Sequence, residues 1–284
     1  MKTDNELKEI VRQKYSEIAL QDKLTNQSSC CGAGGCSTEV YNIMSEDYTT
    51  LEGYNENADL GLGCGLPTAF AKIKEGNVVI DLGSGAGNDC FIARRSTGEK
   101  GKVIGIDFTS AMIEKARSNA DKMGFNNVEF RQGDIENMPV AADVADVVVS
   151  NCVLNLVPNK NAVFNEIFRV LKPGGHFSIS DVVLIGALPE ALQKDAEMYA
   201  GCVSGAIQKN DYLQLIHNNG FKNVTVQKEK PIIIPQDILI NYLNEAEINN
   251  FNNGTTGIFS ITVYAEKPLI KIESSCTPGS GCCS

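Results

Sequence analysis

From Lys74 to Val183 the chain repeats one pattern: a short run that stays apolar at consecutive positions, an amphipathic stretch, then another apolar run. NVVIDL is followed by DCFIARRS, KVIGIDF by SAMIEKARSNADKMG and VEFRQ, and ADVVVSN by AVFNEIFRVLK and HFSISDVV. A strand with one wet face alternates apolar and polar residues, so runs without alternation predict strands buried on both faces. Repetition of such strands with helices predicts a doubly wound α/β domain built on a parallel sheet.

Ahead of this core, Leu7, Ile10, Val11, Tyr15, Ile18 and Leu20 recur at near-helical spacing among charges, predicting an amphipathic helix before a Gly/Ser/Cys loop at 28–37. Beyond Pro189, helices are expected near 189–200 and 210–219, and strands around Val224/Val226 and Ile258/Ile261/Val263, forming a smaller carboxy-terminal unit. A net charge of −10 and the absence of any Lys/Arg run argue against a nucleic-acid partner, whose phosphates need cations. The amino terminus lacks the basic head and apolar stretch of an export signal. The uncharged stretch VVVSNCVLNLVPN is shorter than the roughly 20 residues a membrane span needs. The expectation is a cytoplasmic protein with no membrane partner.

Ten cysteines in a reducing compartment point to ligands, nucleophiles or redox switches rather than structural bridges. Cys30, Cys31 and Cys36 share one loop, Cys276, Cys282 and Cys283 share the tail, and Cys64, Cys90, Cys152 and Cys202 are spread through the body. No pair of C-x-x-C knuckles exists and His176 and His217 stand alone, so a zinc ribbon is excluded.

Asp81-Leu82-Gly83-Ser84-Gly85-Ala86-Gly87 follows an apolar strand and precedes a helix, the setting in which glycines let a ligand approach the backbone. Asn88 stands where a dinucleotide fingerprint needs its third glycine, and no Gly-Lys-Ser/Thr follows. An acid followed by G-x-G-x-G suits a ligand that brings its own positive charge. Asp107 closes the next strand, where a carboxylate can accept ribose hydroxyls. Asp134 follows the third strand, where it can accept from an adenine amino group beside the Ile135 amide. These acids, with Leu171-Lys172-Pro173-Gly174-Gly175 before the fifth strand, resemble class I S-adenosylmethionine-dependent methyltransferases with their Rossmann-like sheet. The resemblance implies S-adenosylmethionine as cofactor, held by Asp81, Gly83, Gly85, Gly87, Asp107, Phe108, Met112, Asp134, Ile135 and Asn151.

Three further segments carry thiols in glycine-flanked or strand-end positions: Leu62-Gly63-Cys64-Gly65-Leu66, Ser150-Asn151-Cys152-Val153-Leu154-Asn155 and Gly201-Cys202-Val203-Ser204-Gly205-Ala206. With DLGSGAGNDC and FRVLKPGG, their order and spacing resemble the arsenite methyltransferases from roughly residue 36 to 207. That resemblance implies four chemical cysteines, Cys36, Cys64, Cys152 and Cys202, of which Cys64, Cys152 and Cys202 would ligate arsenic. Cys36 is matched by its distance to Cys64 alone, and Leu66 stands where the family often has Asn. The implied organisation is an amino-terminal helix and cysteine-bearing segment (1–65), the cofactor domain (66–185), an arsenic-binding region (186–230), the carboxy-terminal unit (231–270) and a Cys-rich flexible tail (271–284).

Trivalent arsenic is thiophilic, and ligand softness selects thiolates for it as for soft metals. Its lone pair can then take the sulfonium methyl with no general base, which fits a site rich in thiols and poor in histidine. The ligating thiols are expected to ionise more readily than free cysteine, in the protein alone or on binding arsenic. The expected partners are arsenite, as a thiolate or glutathione adduct, and thioredoxin or glutathione as reductant of a Cys36 and Cys64 disulfide implied by the family. Cys276, Cys282 and Cys283 could capture arsenite or do nothing, and Cys90 is expected to pack. Two other readings stay open: a methyltransferase acting on carbon or oxygen of a small molecule, and a thiol-rich metalloid-sequestering protein.

Overall fold

The computed structural model describes residues 3–21, 46–187, 189–191, 205–234, 236–253 and 257–269. Its centre is one seven-stranded sheet made of β1 (Val78–Leu82), β2 (Lys102–Asp107), β3 (Val128–Gln132), β4 (Ala145–Asn151), β5 (Leu171–Ile185), β6 (Lys222–Ile232) and β7 (Gly257–Glu266). The spatial order is β3-β2-β1-β4-β5-β7-β6. The first five strands pair in parallel and β7 runs antiparallel to both β5 and β6. The carboxy-terminal strands therefore extend the same sheet. The order reverses between β1 and β4, and in such sheets ligands bind beyond the strand ends at that reversal.

The uninterrupted apolar runs have a physical cause. Val79, Val103, Val147 and Val149 face one core cluster, packed with α3 (Asn88–Thr97) and α4 (Ser110–Met123) through Phe91, Ala93, Ile113 and Ala116. Their neighbours Ile80, Leu82, Ile104, Ile106 and Val148 face the other, packed with α5 (Lys160–Val170) and α6 (Lys209–Asn218) through Phe164, Ile167, Tyr212 and Ile216. Both faces of each central strand are covered, so both must be apolar. The segment Lys172–Gly175, expected ahead of the fifth strand, is an irregularity within β5: Ala145 pairs with Leu171 and Val147 with His176.

The expected amino-terminal helix is α1 (Asp4–Ala19), opened by a Thr3/Glu6 capping box. Val11 and Ile18 are buried, and Lys115 Nζ donates to the carbonyls of Ala19 and Gln21 at 2.9 and 2.8 Å, satisfying acceptors at the helix end. A short helix, α2 (Pro67–Phe70), begins with proline at its first position. After β6, α7 (Gln236–Leu239) and α8 (Glu245–Asn253) complete a third apolar cluster that joins Leu239, Leu243 and Ile248 to Val11, Cys64, Cys152, Leu156 and Val182. Of the helix expected at 189–200, only residues 189–191 are described.

Candidate active site

The turn after β1 is built for close approach. Gly83 has φ +65°, and a Cβ there would lie 2.3 Å from Val153 Cγ2; Gly85 has φ +50° and opens onto free space. Glycine takes such angles without strain. Asp107, buried at the end of β2, accepts from Gly85 N at 3.0 Å through Oδ2 and from Thr109 N at 2.8 Å through Oδ1, so one carboxylate fastens the glycine turn to the next strand. The buried hydroxyl of Ser84 has no hydrogen-bond partner in the protein.

A cavity of about 1050 Å³, including its open mouth, lies at the strand ends between β1 and β4. Asp81, Gly83, Gly85, Asp107, Phe108, Asp134, Ile135, Asn151 and Cys152 line it, whereas Gly87 and Met112 are not among the lining residues. Met112 is fully buried on the core face of α4 with Ile113 and Ala116. Gly87, with φ +100°, starts α3 where a Cβ would strike Phe91 and Phe130.

The lining residues outside the sequence reading of the site include Lys8, Tyr48, Asp59 and Asp89. Asp89 follows the glycine turn on α3 and accepts from Tyr48 Oη at 3.0 Å, Thr68 Oγ1 at 3.2 Å and Asn151 Nδ2 at 3.3 Å. Burial raises its carboxyl to about 6 although those three donors pull it down. Burial and the Asp89 charge lift Asp81 well above the carboxylate range, and burial lifts Asp107. Among the described lining residues, five aspartates face one cation, Lys8. Lys8 Nζ lies 2.6 Å from Asp134 Oδ2 and also bonds Glu136, while Asp134 Oδ1 accepts from Glu136 N at 2.9 Å. Arg12 stacks over the Phe108 ring at 5.6 Å, so α1 forms one wall of the cavity.

Crowded carboxylates, an orphaned buried hydroxyl and a glycine cradle form a donor set suited to S-adenosylmethionine, which carries a sulfonium, an ammonium and a carboxylate.

Cys152 follows β4 with φ +59°, an angle that disfavours side chains, and its N–H donates to Ser180 O at 2.8 Å. Cys64 is fully buried in the loop before α2; its N–H donates to Asn151 Oδ1 at 3.0 Å, and its carbonyl accepts from Ser260 Oγ. The two thiols belong to the same apolar cluster. Cys64 itself is not among the lining residues, though Leu62 and Gly63 are. Asn151 lines the cavity, but its side-chain amide is engaged with the Cys64 loop. Cys90 donates to Asp81 Oδ2 at 3.2 Å, and burial together with the Asp81 charge pushes its thiol up, which keeps it protonated. Cys64, Cys90 and Cys152 are all buried. Cys36 and Cys202 lie outside the described residues, as do Cys30, Cys31, Cys276, Cys282 and Cys283. Neither histidine lines the cavity; His176 Nε2 is bonded to Ala71 O at 2.7 Å.

Residues 73–220 match a family described as a methyltransferase domain. An arsenite methyltransferase of Halobacterium salinarum is 40% identical over 93% of this chain and 67% of its own length. One of Aquipseudomonas alcaligenes is 32% identical over 89% of this chain and 72% of its own. Among solved structures, an arsenic(III) S-adenosylmethionine methyltransferase from Chlamydomonas reinhardtii superimposes with a TM-score of 0.61 at 34% identity, covering 72% of this chain and 68% of that one.

Proposed function

The chain belongs to the arsenite methyltransferases, and from that membership we propose that trivalent arsenic is held by the thiolates of Cys64, Cys152 and Cys202 while its lone pair receives the methyl group. The enzyme uses S-adenosylmethionine. The observation that carries the thiolate reading is Cys152: a side chain kept at a backbone angle that favours glycine, lining the same cavity as Asp81 and Asp107.

Asp81, Asp107 and Asp134 with the turn at Gly83 and Gly85 are the groups assigned to holding the cofactor. Bound there, S-adenosylmethionine would supply an electrophilic sulfonium methyl, whose transfer to an arsenic lone pair needs no base. The protein's own part is to bind and orient. Each thiol replaces one arsenite hydroxyl, its proton leaving with that hydroxyl as water. Val11, Leu156 and Val182, packed with Cys64 and Cys152, exclude water and favour sulfur over hydroxide as ligand. Holding arsenic in line with the methyl group is worth several kcal/mol in such reactions, on the order of 7 or more when alignment is complete.

Transfer of a methyl cation, with the S–C bond's electrons staying on S-adenosylhomocysteine, takes arsenic formally from trivalent to pentavalent. Two thiols, assigned to Cys36 and Cys64, return two electrons and become a disulfide, which thioredoxin or glutathione reduces. Arsenite is expected at the site as a thiolate adduct, formed there or with glutathione before entry, and a cytosolic setting keeps the thiols reduced.

The test is incubation with arsenite, S-adenosylmethionine and a thiol reductant, followed by separation of arsenic species with elemental detection. Methylated arsenic is expected from the wild type and none from Cys152→Ser or Cys202→Ser. Unchanged methylation by either variant removes it from the ligand set. Free-thiol counts after one turnover without reductant should fall by two, and a constant count ends the disulfide step.

A further inference from the structure

We propose that Asn151 is the positioning residue that sets the Cys64 thiol opposite Cys152, serving the arsenic ligands rather than the cofactor; this rests on the reading of Cys64 as a ligand. Asn151 is the last residue of β4 and the covalent neighbour of Cys152. Its Oδ1 accepts from Cys64 N at 3.0 Å and its Nδ2 donates to Gly65 O at 2.8 Å, so one amide grips the backbone on both sides of Cys64. The same Nδ2 meets Tyr48 Oη and, at 3.3 Å, Asp89 Oδ2, while Tyr48 also donates to Gly65 O at 3.0 Å.

The glycines flanking Cys64 fit this arrangement. A Cβ at Gly63 would lie 2.5 Å from Asn151 Nδ2, and one at Gly65 would lie 2.5 Å from Ser180 Oγ. The loop is thus pressed onto β4 by Asn151 and onto β5 at Ser180, whose carbonyl also takes the Cys152 N–H. One side chain consequently fixes both ends of the spacing between the two thiols. A carboxylate at 151 would keep the acceptor for Cys64 but lose the donor to Gly65 and sit against Asp89; alanine would strand Cys64 N–H and leave Gly65 O with the Tyr48 hydroxyl as donor. Buried groups left without partners move or cost stability, and either result displaces Cys64.

The experiment compares wild type, Asn151→Ala, Asn151→Asp and Cys64→Ser without turnover. Protection of Cys64 and Cys152 from alkylation is measured peptide by peptide by mass spectrometry as arsenite is titrated, and S-adenosylmethionine affinity is measured separately by calorimetry. Asn151→Ala should raise the arsenite concentration for half-protection at least tenfold, with cofactor Kd changed less than threefold. Asn151→Asp, which retains the Cys64 acceptor, should show a smaller rise in arsenite, and it carries the test if the alanine variant does not fold. Unchanged arsenite protection in both Asn151 variants, with protection of Cys152 lost in Cys64→Ser, overturns the positioning role and leaves the ligand reading standing. Cofactor affinity falling as much as arsenite affinity also overturns it, since Asn151 then serves the cofactor. Undiminished Cys152 protection in Cys64→Ser overturns the ligand reading itself.

Discussion

Lys8 Nζ stands 2.6 Å from Asp134 Oδ2 across 126 residues of sequence, and through that contact α1 is clipped to the loop where adenine is expected. Asp134 and Glu136 hold the ammonium above its ordinary range against the opposing effect of burial. The pair is partly exposed, so its worth is about 1 kcal/mol or less and falls with salt. Lys8→Met keeps the stem and removes the charge. It should raise the S-adenosylmethionine Kd roughly two- to fivefold at low ionic strength, with wild type and variant converging in concentrated salt. A variant with wild-type affinity at low salt shows that α1 does not secure the cofactor.

Cys152 sits at φ +59°, where glycine rests freely and any Cβ costs about 1–2 kcal/mol. Elsewhere, glycine in place of alanine costs about 0.5–1 kcal/mol. At this position the order should invert: in urea melts, Cys152→Gly should be more stable than Cys152→Ala by about 1 kcal/mol, with neither methylating arsenite. Alanine at or above glycine in stability means that the backbone is unstrained there and that the thiol is not retained against a conformational cost.

The sheet was legible because burial on both faces leaves a mark in every strand: VVIDL and ADVVVSN show no alternation. The glycine turn was legible because positive φ at Gly83 and Gly85 restricts the residue type. Lys8, Tyr48 and Asp89 were not, since their roles exist only after distant segments meet; Tyr48 reaches Asp89 across 41 residues, and nothing local distinguishes either from a surface residue. For Met112 the resemblance implies a cofactor contact, while in the fold Met112, Ile113, Ala116 and Ala120 form the buried stripe of α4. Asn151 carried a strand-end signal, but only the folded loop shows that its amide is engaged with Cys64.

Asp181 is fully buried on β5 and accepts from Asn155 Nδ2 at 2.9 Å, Val182 N at 2.9 Å and Tyr212 Oη at 3.2 Å. Burial raises its carboxyl to about 7, with the Lys160 charge and the donors working the other way. The unfolded carboxyl titrates near 3.8, so between about pH 4 and 7 the native state binds more protons than the unfolded one. Stability from this group must fall as pH rises through that window and flatten above it, by on the order of 4 kcal/mol in total. Asp181→Asn should remove that slope whatever its offset at one pH. Parallel stability curves for wild type and variant from pH 4 to 8 would mean that Asp181 titrates normally.

Asp89 applies the same linkage to binding instead of folding. Its carboxyl, raised to about 6, lines the cavity with Asp81 and Asp107, both raised in the same direction. A cationic ligand favours the ionised form and must lower the pKa of a carboxyl that it approaches. Affinity for S-adenosylmethionine should therefore rise as pH increases through about 6, with Kd at pH 5 up to roughly tenfold above that at pH 7.5 for one linked proton. Calorimetry near pH 6 in buffers of different ionisation enthalpy should register proton release on binding. Asp89→Asn should bind more weakly at pH 7.5 with a shallower pH slope, because the variant retains only Asp81 and Asp107 as titrating carboxyls beside the turn. A wild-type Kd that stays flat from pH 5 to 7.5 would show that the ligand's charges do not face these aspartates, and the cavity would then have to hold its ligand mainly through the glycine turn and the walls formed by α1 and Phe108.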